Sequence, residues 1–294
     1  MPFPPPQKID VVYHPGVRGA DAVAEALARQ ASGRGIAAGV AALPPSASDF
    51  APPHLSDSDL LVCVGGDGTV LHASSYATRH QIPLFGVRMG RLGFLTETVE
   101  ERATIDFERV LDGEARIEER ALVQARVDGG EPFHALNDMV IGRARLGRTV
   151  SVVAYIDGVT LAEYRADALI IATATGSTGY ALSVGGPIMH PTSEDMIVVP
   201  VAAHLTQANA LVLPGSTVLR LAVQRGYEAE LSVDGLDNRM VESGSIVEIT
   251  RSSRTARFVR VSAETDFYHN VAQRLGWLRS DHVIDVTGDP ADTV

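Results

Sequence analysis

Three glycines, an aspartate and a threonine stand together as G-G-D-G-T at residues 65–69. An apolar run, L-L-V-C-V at 60–64, comes before them, and a segment of helical pattern at 70–79 comes after. That order predicts a buried strand, a tight turn and a helix N-terminus. Gly65, Gly66 and Gly68 let the backbone bend sharply and approach a ligand. Free N–H groups and the positive end of the helix dipole, with Thr69 at the helix start, favour a phosphate. Asp67 does not fit a pure anion site, because a carboxylate repels phosphate. It fits if a metal bridges the charges, or if it accepts a proton from an attacking hydroxyl. It also fits a plain cap on a helix beginning at Thr69. The stretch points to phosphoryl transfer.

Other polar clusters stand further along. Asn137 and Asp138 adjoin the apolar residues Leu136 and Met139. Such an amide and carboxylate pair can hold a diol such as ribose, or simply cap a turn. Arg165 and Asp167 stand two apart before an apolar strand, as a surface ion pair or a ligand contact. The run T-A-T-G-S-T-G-Y at 173–180, continued by A-L-S-V-G-G-P, is too polar and too long for an ordinary hairpin turn. It does not match G-x-S-x-G, since Ser177 follows Gly176 directly. The nine histidines are scattered and form no metal-ligand spacing. Lys8 is the only lysine, which excludes a Walker-type phosphate loop and leaves cationic work to arginine.

The elements that must position these groups fall into two textures. Residues 9–111 predict strands at 9–13, 36–43, 60–65 and 82–87, with helices at 17–32, from 70 to about 80, and at 99–111. The resulting β-α-β-β-α-β-α order argues a parallel sheet flanked by helices, with ligands beyond the carboxyl ends of its strands. From about residue 116, alternating segments take over at 122–127, 150–156, 168–173, 218–223, 230–233 and 246–250. Turn dipeptides such as Asp128-Gly129, Asp157-Gly158 and Asp234-Gly235 separate several of them. The expected fold class is therefore α/β + β. A Rossmann-like parallel α/β domain at 9–115 is followed by a mostly antiparallel, sandwich-like β domain at 116–261. A flexible Pro-rich tail is expected at 1–8, and a C-terminal segment at 262–294 whose helix packs back on the first domain.

The 294 residues are 45% hydrophobic and 21% charged, with a formal net charge of −11. That acidity disfavours nucleic acid and anionic membranes as partners. No apolar run approaches the ~20 residues of a membrane span. The single cysteine, Cys63, allows no intrachain disulfide, which suits a reducing cytosol and a cytoplasmic location.

Through these clusters the chain resembles the bacterial-type NAD kinases of the diacylglycerol kinase-like and phosphofructokinase-like superfamily. G-G-D-G-T is shared across that superfamily. More specific is its combination with G-R-L-G-F-L at 90–95, Asn137-Asp138, Asp167, T-G-S-T-G-Y at 175–180, V-D-G at 233–235 and L-G-W at 275–277. The resemblance spans about residues 9–278. It implies ATP-dependent phosphorylation of NAD at the 2′-hydroxyl of the adenosine ribose, with Mg²⁺ or Mn²⁺ entering with ATP and no protein metal cage. It also implies a homodimer or homotetramer.

By the same resemblance Asp67 would be the base. Gly65, Gly66, Gly68 and Thr69 would lie near the ATP phosphates. Asp67, Gly68, His72, Phe94, Asn137 and Asp138 would contact NAD, and Arg148, Arg165 and Asp167 would frame its other end. Thr175, Thr178, Gly179, Tyr180, Ala181, Leu182 and Ser183 would line the pocket. The sequence departs from the family pattern at Arg88, Ala174, Gly179, Ala203, Asn209, Ala210 and Leu236. A lipid or sugar kinase of the same superfamily, or an NADP(H)-sensing module without transfer, are the alternative readings.

Overall fold

The computed structural model describes residues 1–44, 57–90, 93–145, 147–203 and 209–277. Arg91 and Leu92 of the 90–95 turn, His204, most of the loop expected at 44–58, and everything beyond residue 277 lie outside the described residues.

Strand β1 (Lys8–Tyr13), helix α1 (Ala20–Gly33), β2 (Ala37–Ala42), β3 (Leu60–Gly65), α2 (Asp67–His80) and β4 (Leu84–Arg88) come first. Then follow β5 (Thr98–Val99) and α3 (Ala103–Leu111). The β-α-β-β-α-β-α order is the one the sequence predicts. The segment expected as one helix at 99–111 differs, opening as β5 and a short 3-10 turn before α3. Strands β4, β3, β1 and β2 lie side by side and parallel. Every residue of β3 is buried because helices cover both of its faces. Leu60, Val62 and Val64 pack with Leu27 of α1 and Phe107 of α3. Leu61 and Cys63 face the other way, onto Val70, Leu71 and Ala77 of α2.

After α3 come β6 (Arg116–Val127), β7 (Phe133–Ala135), β8 (Asp138–Arg143), β9 (Val150–Ile156), β10 (Val159–Ala166) and β11 (Ala168–Thr173). Helix α4 (Tyr180–Ser183), β12 (Met196–Val201), β13 (Leu211–Leu213), β14 (Leu219–Val223), β15 (Ala229–Val233), β16 (Asp237–Val241) and the long β17 (Ile246–Arg260) complete the sandwich. One sheet runs β13-β12-β11-β8-β15-β16, all antiparallel. The other runs β10-β9-β14-β17 and continues directly into β4-β3-β1-β2, with β6 also paired to β17. Met139, Ile141, Leu169 and Ile171 of the first sheet interdigitate with Val152, Leu219, Leu221 and Ile249 of the second.

Met1–Val261 forms one compact unit, and the sheet runs on without a break where 9–115 was expected to give way to 116–261. The first residues do not form the loose tail expected of 1–8. The Phe3 side chain is buried in the cluster around β1 and α3, its N–H bonds the Ala115 carbonyl at 2.9 Å, and Pro2 bridges Arg116. Apolar burial of Phe3 is the physical reason. The segment from Ser262 is a second compact unit, with α5 (Asp266–Arg274) as its helix. Among the described residues no helix is long and apolar enough to cross a membrane.

Candidate functional site

Helix α2 begins at Asp67, two residues earlier than the start expected at Thr69, with Gly66 at the cap position in extended conformation. The Thr69 hydroxyl accepts the Gly66 N–H at 3.2 Å, so Thr69 does the capping. A Cβ on Gly65 would lie 2.4 Å from that hydroxyl, which explains the first glycine. Gly65 and Thr69 are buried and build the turn, while Gly68 is exposed and Gly66 half-buried, both with open space where a Cβ would stand.

Asp67 is half-buried and does not cap its own helix. Its carboxylate reaches across the sheet end to the segment before β5. There it accepts the Phe94 N–H at 2.6 Å and the Leu95 N–H at 3.1 Å. Gly93 sits so close that an added Cβ would lie 1.9 Å from Asp67 Oδ1. Phe94 is half-buried beside the acid, and His72 is buried on α2.

Below this strap lies a network of buried charge. Arg260, at the end of β17, donates to Leu95 O at 3.2 Å, to Glu97 at 3.1 Å and to Glu118 at 3.1 Å. Arg120 donates twice to the same Glu118 oxygen, at 2.9 and 2.8 Å. Burial alone would push the Glu118 carboxyl up, but Arg260 and Arg120 outweigh it and hold it at about 2. Burial, helped by the Arg260 charge, lowers Arg120 to about 10.

The second half of the site is the turn before β8. Asp234, at φ 52° in the β15–β16 connection, points its carboxylate back along the sheet. It accepts the N–H groups of Leu136, Asn137 and Asp138 at 2.8, 2.7 and 3.0 Å. Three donors on one carboxylate fix the turn that presents Asn137 and Asp138. Gly176 lies against that turn, since a Cβ there would be 1.9 Å from Asn137 O. A Cβ on Gly179 would lie 4.0 Å from both the Asn137 amide and the Asp138 carboxylate. The structure therefore brings Asn137, Asp138 and the 175–180 run together. Burial, with the Asp234 charge adding to it, pushes the Asp138 carboxyl up to about 7. Burial also raises Asp234, against the pull of its three backbone donors.

Several hydroxyls of the run are satisfied locally: Ser177 bonds Ala174 O, Thr178 bonds Thr175 O and Ser183 bonds Tyr180 O. The Thr175 hydroxyl is buried with no hydrogen-bond partner among the described residues. Tyr180 is 45% exposed, Ala181 is buried in the β11–β12 core, and Leu182 is half-buried. Leu136, next to Asn137, shares one buried cluster with Val70, Leu71 and Leu95 beside Asp67. The two turns thus rise from a common core.

A sequence family model described as the ATP-NAD kinase N-terminal domain matches residues 45–115, and one described as its C-terminal domain matches residues 136–261. An NAD kinase of Dehalococcoides mccartyi is 34% identical over 280 residues, covering 92% of this chain and 96% of that protein. The chain belongs to the ATP-NAD kinase family. Another family member, an NAD kinase of Chloroflexus aurantiacus, is 40% identical over 228 residues, covering 76% and 83% of the two chains. Solved structures share the fold. A yeast NADH kinase complexed with NADH superposes with a TM-score of 0.81 at 23% identity, covering 94% of this chain and 89% of that one. An Archaeoglobus fulgidus NAD kinase in complex with ATP gives 0.73 at 24% identity, covering 90% and 98%.

Arg148, Arg165 and Asp167 stand elsewhere in this ATP-NAD kinase fold. Asp167 pairs with Arg143 at 2.7 Å, at the opposite end of β8 from Asp138. Five residue steps along the strand separate those ends by roughly 16 Å. Arg148 and Arg165 line a cleft of about 740 Å³ with Arg145, Tyr227 and Ser243. The residues that the sequence reading passed over are Glu118, Arg120 and Arg260, which look like solvated charges on alternating strands. Asp234 is legible as a turn dipeptide and as part of V-D-G at 233–235, but not as the clamp on the 136–138 turn. Among the described residues no three His, Cys, Asp or Glu side chains gather as a metal site requires.

Proposed function

We infer that this chain phosphorylates the 2′-hydroxyl of the adenosine ribose of NAD with ATP as donor, giving NADP. Membership of the ATP-NAD kinase family over nearly the whole chain carries this reading. The site geometry supports it through Asp67, a half-buried carboxylate aimed by two backbone amides at a helix start where phosphate is favoured. In this reading Asp67 takes the hydroxyl proton while the oxygen attacks the γ-phosphorus, the bond to the β–γ bridging oxygen breaks and ADP leaves. Phosphoryl transfer then depends on positioning and charge neutralisation more than on covalent help.

The other roles follow from place. Gly66 and Gly68 leave the backbone open to the ATP phosphates above the turn built by Gly65 and Thr69. Asn137 and Asp138 hydrogen-bond the ribose of the bound nucleotide. Phe94 walls the adenosine, His72 backs it from α2, and Tyr180 offers an aromatic face. The Thr175 hydroxyl finds no partner among the described residues and suits a ligand atom, with Thr178, Gly179, Ala181, Leu182 and Ser183 framing the pocket. Mg²⁺ or Mn²⁺ arrives as part of the ATP substrate and neutralises phosphate charge. Asp167, about 16 Å along β8 from Asp138, and the cleft residues Arg148 and Arg165 serve a dinucleotide at Asn137 best across a contact between copies. We therefore propose a homodimer or homotetramer, visible as a mass above that of one chain in light scattering. Cys63, free and buried, accords with a reducing cytoplasm as the place of work.

The test is direct. Incubation with ATP, Mg²⁺ and NAD should yield NADP, read with an NADP-specific dehydrogenase, and no NADP would overturn the assignment. Parallel runs with NADH and with polyphosphate fix the acceptor and donor range.

A further inference from the structure

We propose that Arg260 is a positioning residue that aims Asp67 through the backbone of Leu95. The inference rests on the reading of Asp67 as the base. It adds a residue distant in sequence, on the last strand of the main unit.

The backbone of Leu95 is held at two points. Its N–H donates to Asp67 Oδ1 at 3.1 Å, and its carbonyl accepts from Arg260 Nη1 at 3.2 Å. The two groups lie in neighbouring peptide planes joined at the Leu95 Cα, so fixing the carbonyl limits how far the plane that carries the N–H can turn. The guanidinium itself has no freedom to drift. It is 4% exposed, bonds Glu97 at 3.1 Å and Glu118 at 3.1 Å, and lies over the Phe258 ring at 5.0 Å. Glu118 is pinned in turn by both Arg120 bonds, and Glu97 also accepts the Val261 N–H at 2.8 Å. Arg120, Glu118, Arg260 and Glu97 thus alternate in sign along a buried line that ends on the strap holding Asp67.

Stability does not demand this arrangement. Well-packed apolar residues often replace buried ion groups at no loss. Geometry does demand it, because a planar fork can hold a carbonyl and two carboxylates at fixed angles, and an ammonium cannot. With Oδ1 accepting from Leu95 and Oδ2 from Phe94, the carboxylate has one orientation.

The experiment is a double-mutant cycle on steady-state kinetics, using Arg260→Lys, Asp67→Asn and the pair. Arg260→Lys should lower kcat about 10–100-fold, the cost of a small misplacement of a catalytic group, with KM for NAD and ATP within about 2-fold. In the Asp67→Asn background the same change should cost nothing further. Glu118→Gln, which keeps the acceptor oxygen but not the charge, should give a smaller kcat loss that also vanishes in that background. It serves as the second probe if Arg260→Lys does not fold. Losses that multiply in the cycle, or a change confined to KM, would overturn the role of Arg260 while leaving the kinase reading intact. A wild-type chain that makes no NADP would instead overturn the reading on which the role rests.

Discussion

A carboxylate that takes a proton from one hydroxyl must point in one direction, and two amides fix the direction of Asp67. Asp67→Asn should fold normally and lose about 10²–10⁴-fold in kcat, the range for a positioned base. Wild-type turnover in that variant would reduce the residue to a tie between α2 and the strap. Gly93→Ala tests the same geometry from the other side. The added methyl would lie 1.9 Å from Asp67 Oδ1, so the carboxylate has to swing away. A kcat loss of about 10²-fold is expected, for a displacement on the order of 1 Å. Unchanged kcat would mean the strap yields instead.

Asp138 makes a prediction of a different kind. Its folded pKa of about 7 lies above the unfolded value of about 3.9. A raised value favours the folded state while the proton is held, so this contribution is full below pH ~4 and is lost as pH rises through ~7. Asp138→Asn should flatten the fall in urea stability across that window by roughly 1–3 kcal/mol. Glu118 has the opposite sign, losing its contribution only as pH falls from ~4.3 towards 2, so the two windows separate. A slope between pH 4 and 7 that survives in Asp138→Asn would assign it to Asp234 or another group. Asp67, Asn137 and Asp138 were legible in sequence because polar side chains beside apolar runs are conspicuous. Asp234 was not legible as a clamp, because its three amide partners lie almost a hundred residues away.

At the scale of elements, the strand–turn–helix around residues 60–80 was readable because local rules govern it: a β-branched run, glycines and a cap. Only the helix start moved, since Thr69 caps from inside the helix. Gly65→Ala should therefore destabilise the fold by roughly 1–3 kcal/mol, through overpacking against Thr69. A denaturant midpoint equal to wild type would show that the turn relaxes freely. Strands β9 and β11 match the expected 150–156 and 168–173 because their alternation is clean. Strand β10, V-T-L-A-E-Y-R-A, escaped because it lies at a sheet edge and carries charge on its open face. β6 and β17 run much longer than their apolar cores at 122–127 and 246–250. Glu118, Arg120 and Arg260, which interrupt the pattern, are buried as partners of one another.

For the whole molecule, alternation and helical spacing announced two textures, and both are present. Sequence pattern could not announce that β17 joins them in one sheet, because strand order depends on pairings between distant residues. Met1–Val261 should consequently unfold in a single step. Far-UV circular dichroism and tyrosine fluorescence should give coincident urea curves. Two separated transitions would show that 9–115 and 116–261 hold together independently.

β6 and β17 are paired from Arg116 with Arg260 to Val127 with Val247, and so span both textures. A protein that shuts on its substrates like a jaw needs a few slack residues about which two lobes can swing. Here the place for such a pivot is occupied by two strands paired on both sides of one bulge between Arg251 and Thr255. A crossing pinned on both sides of that bulge keeps the two textures in register, so on the proposed reading the distance between the acid and the sugar it serves is set when the chain folds.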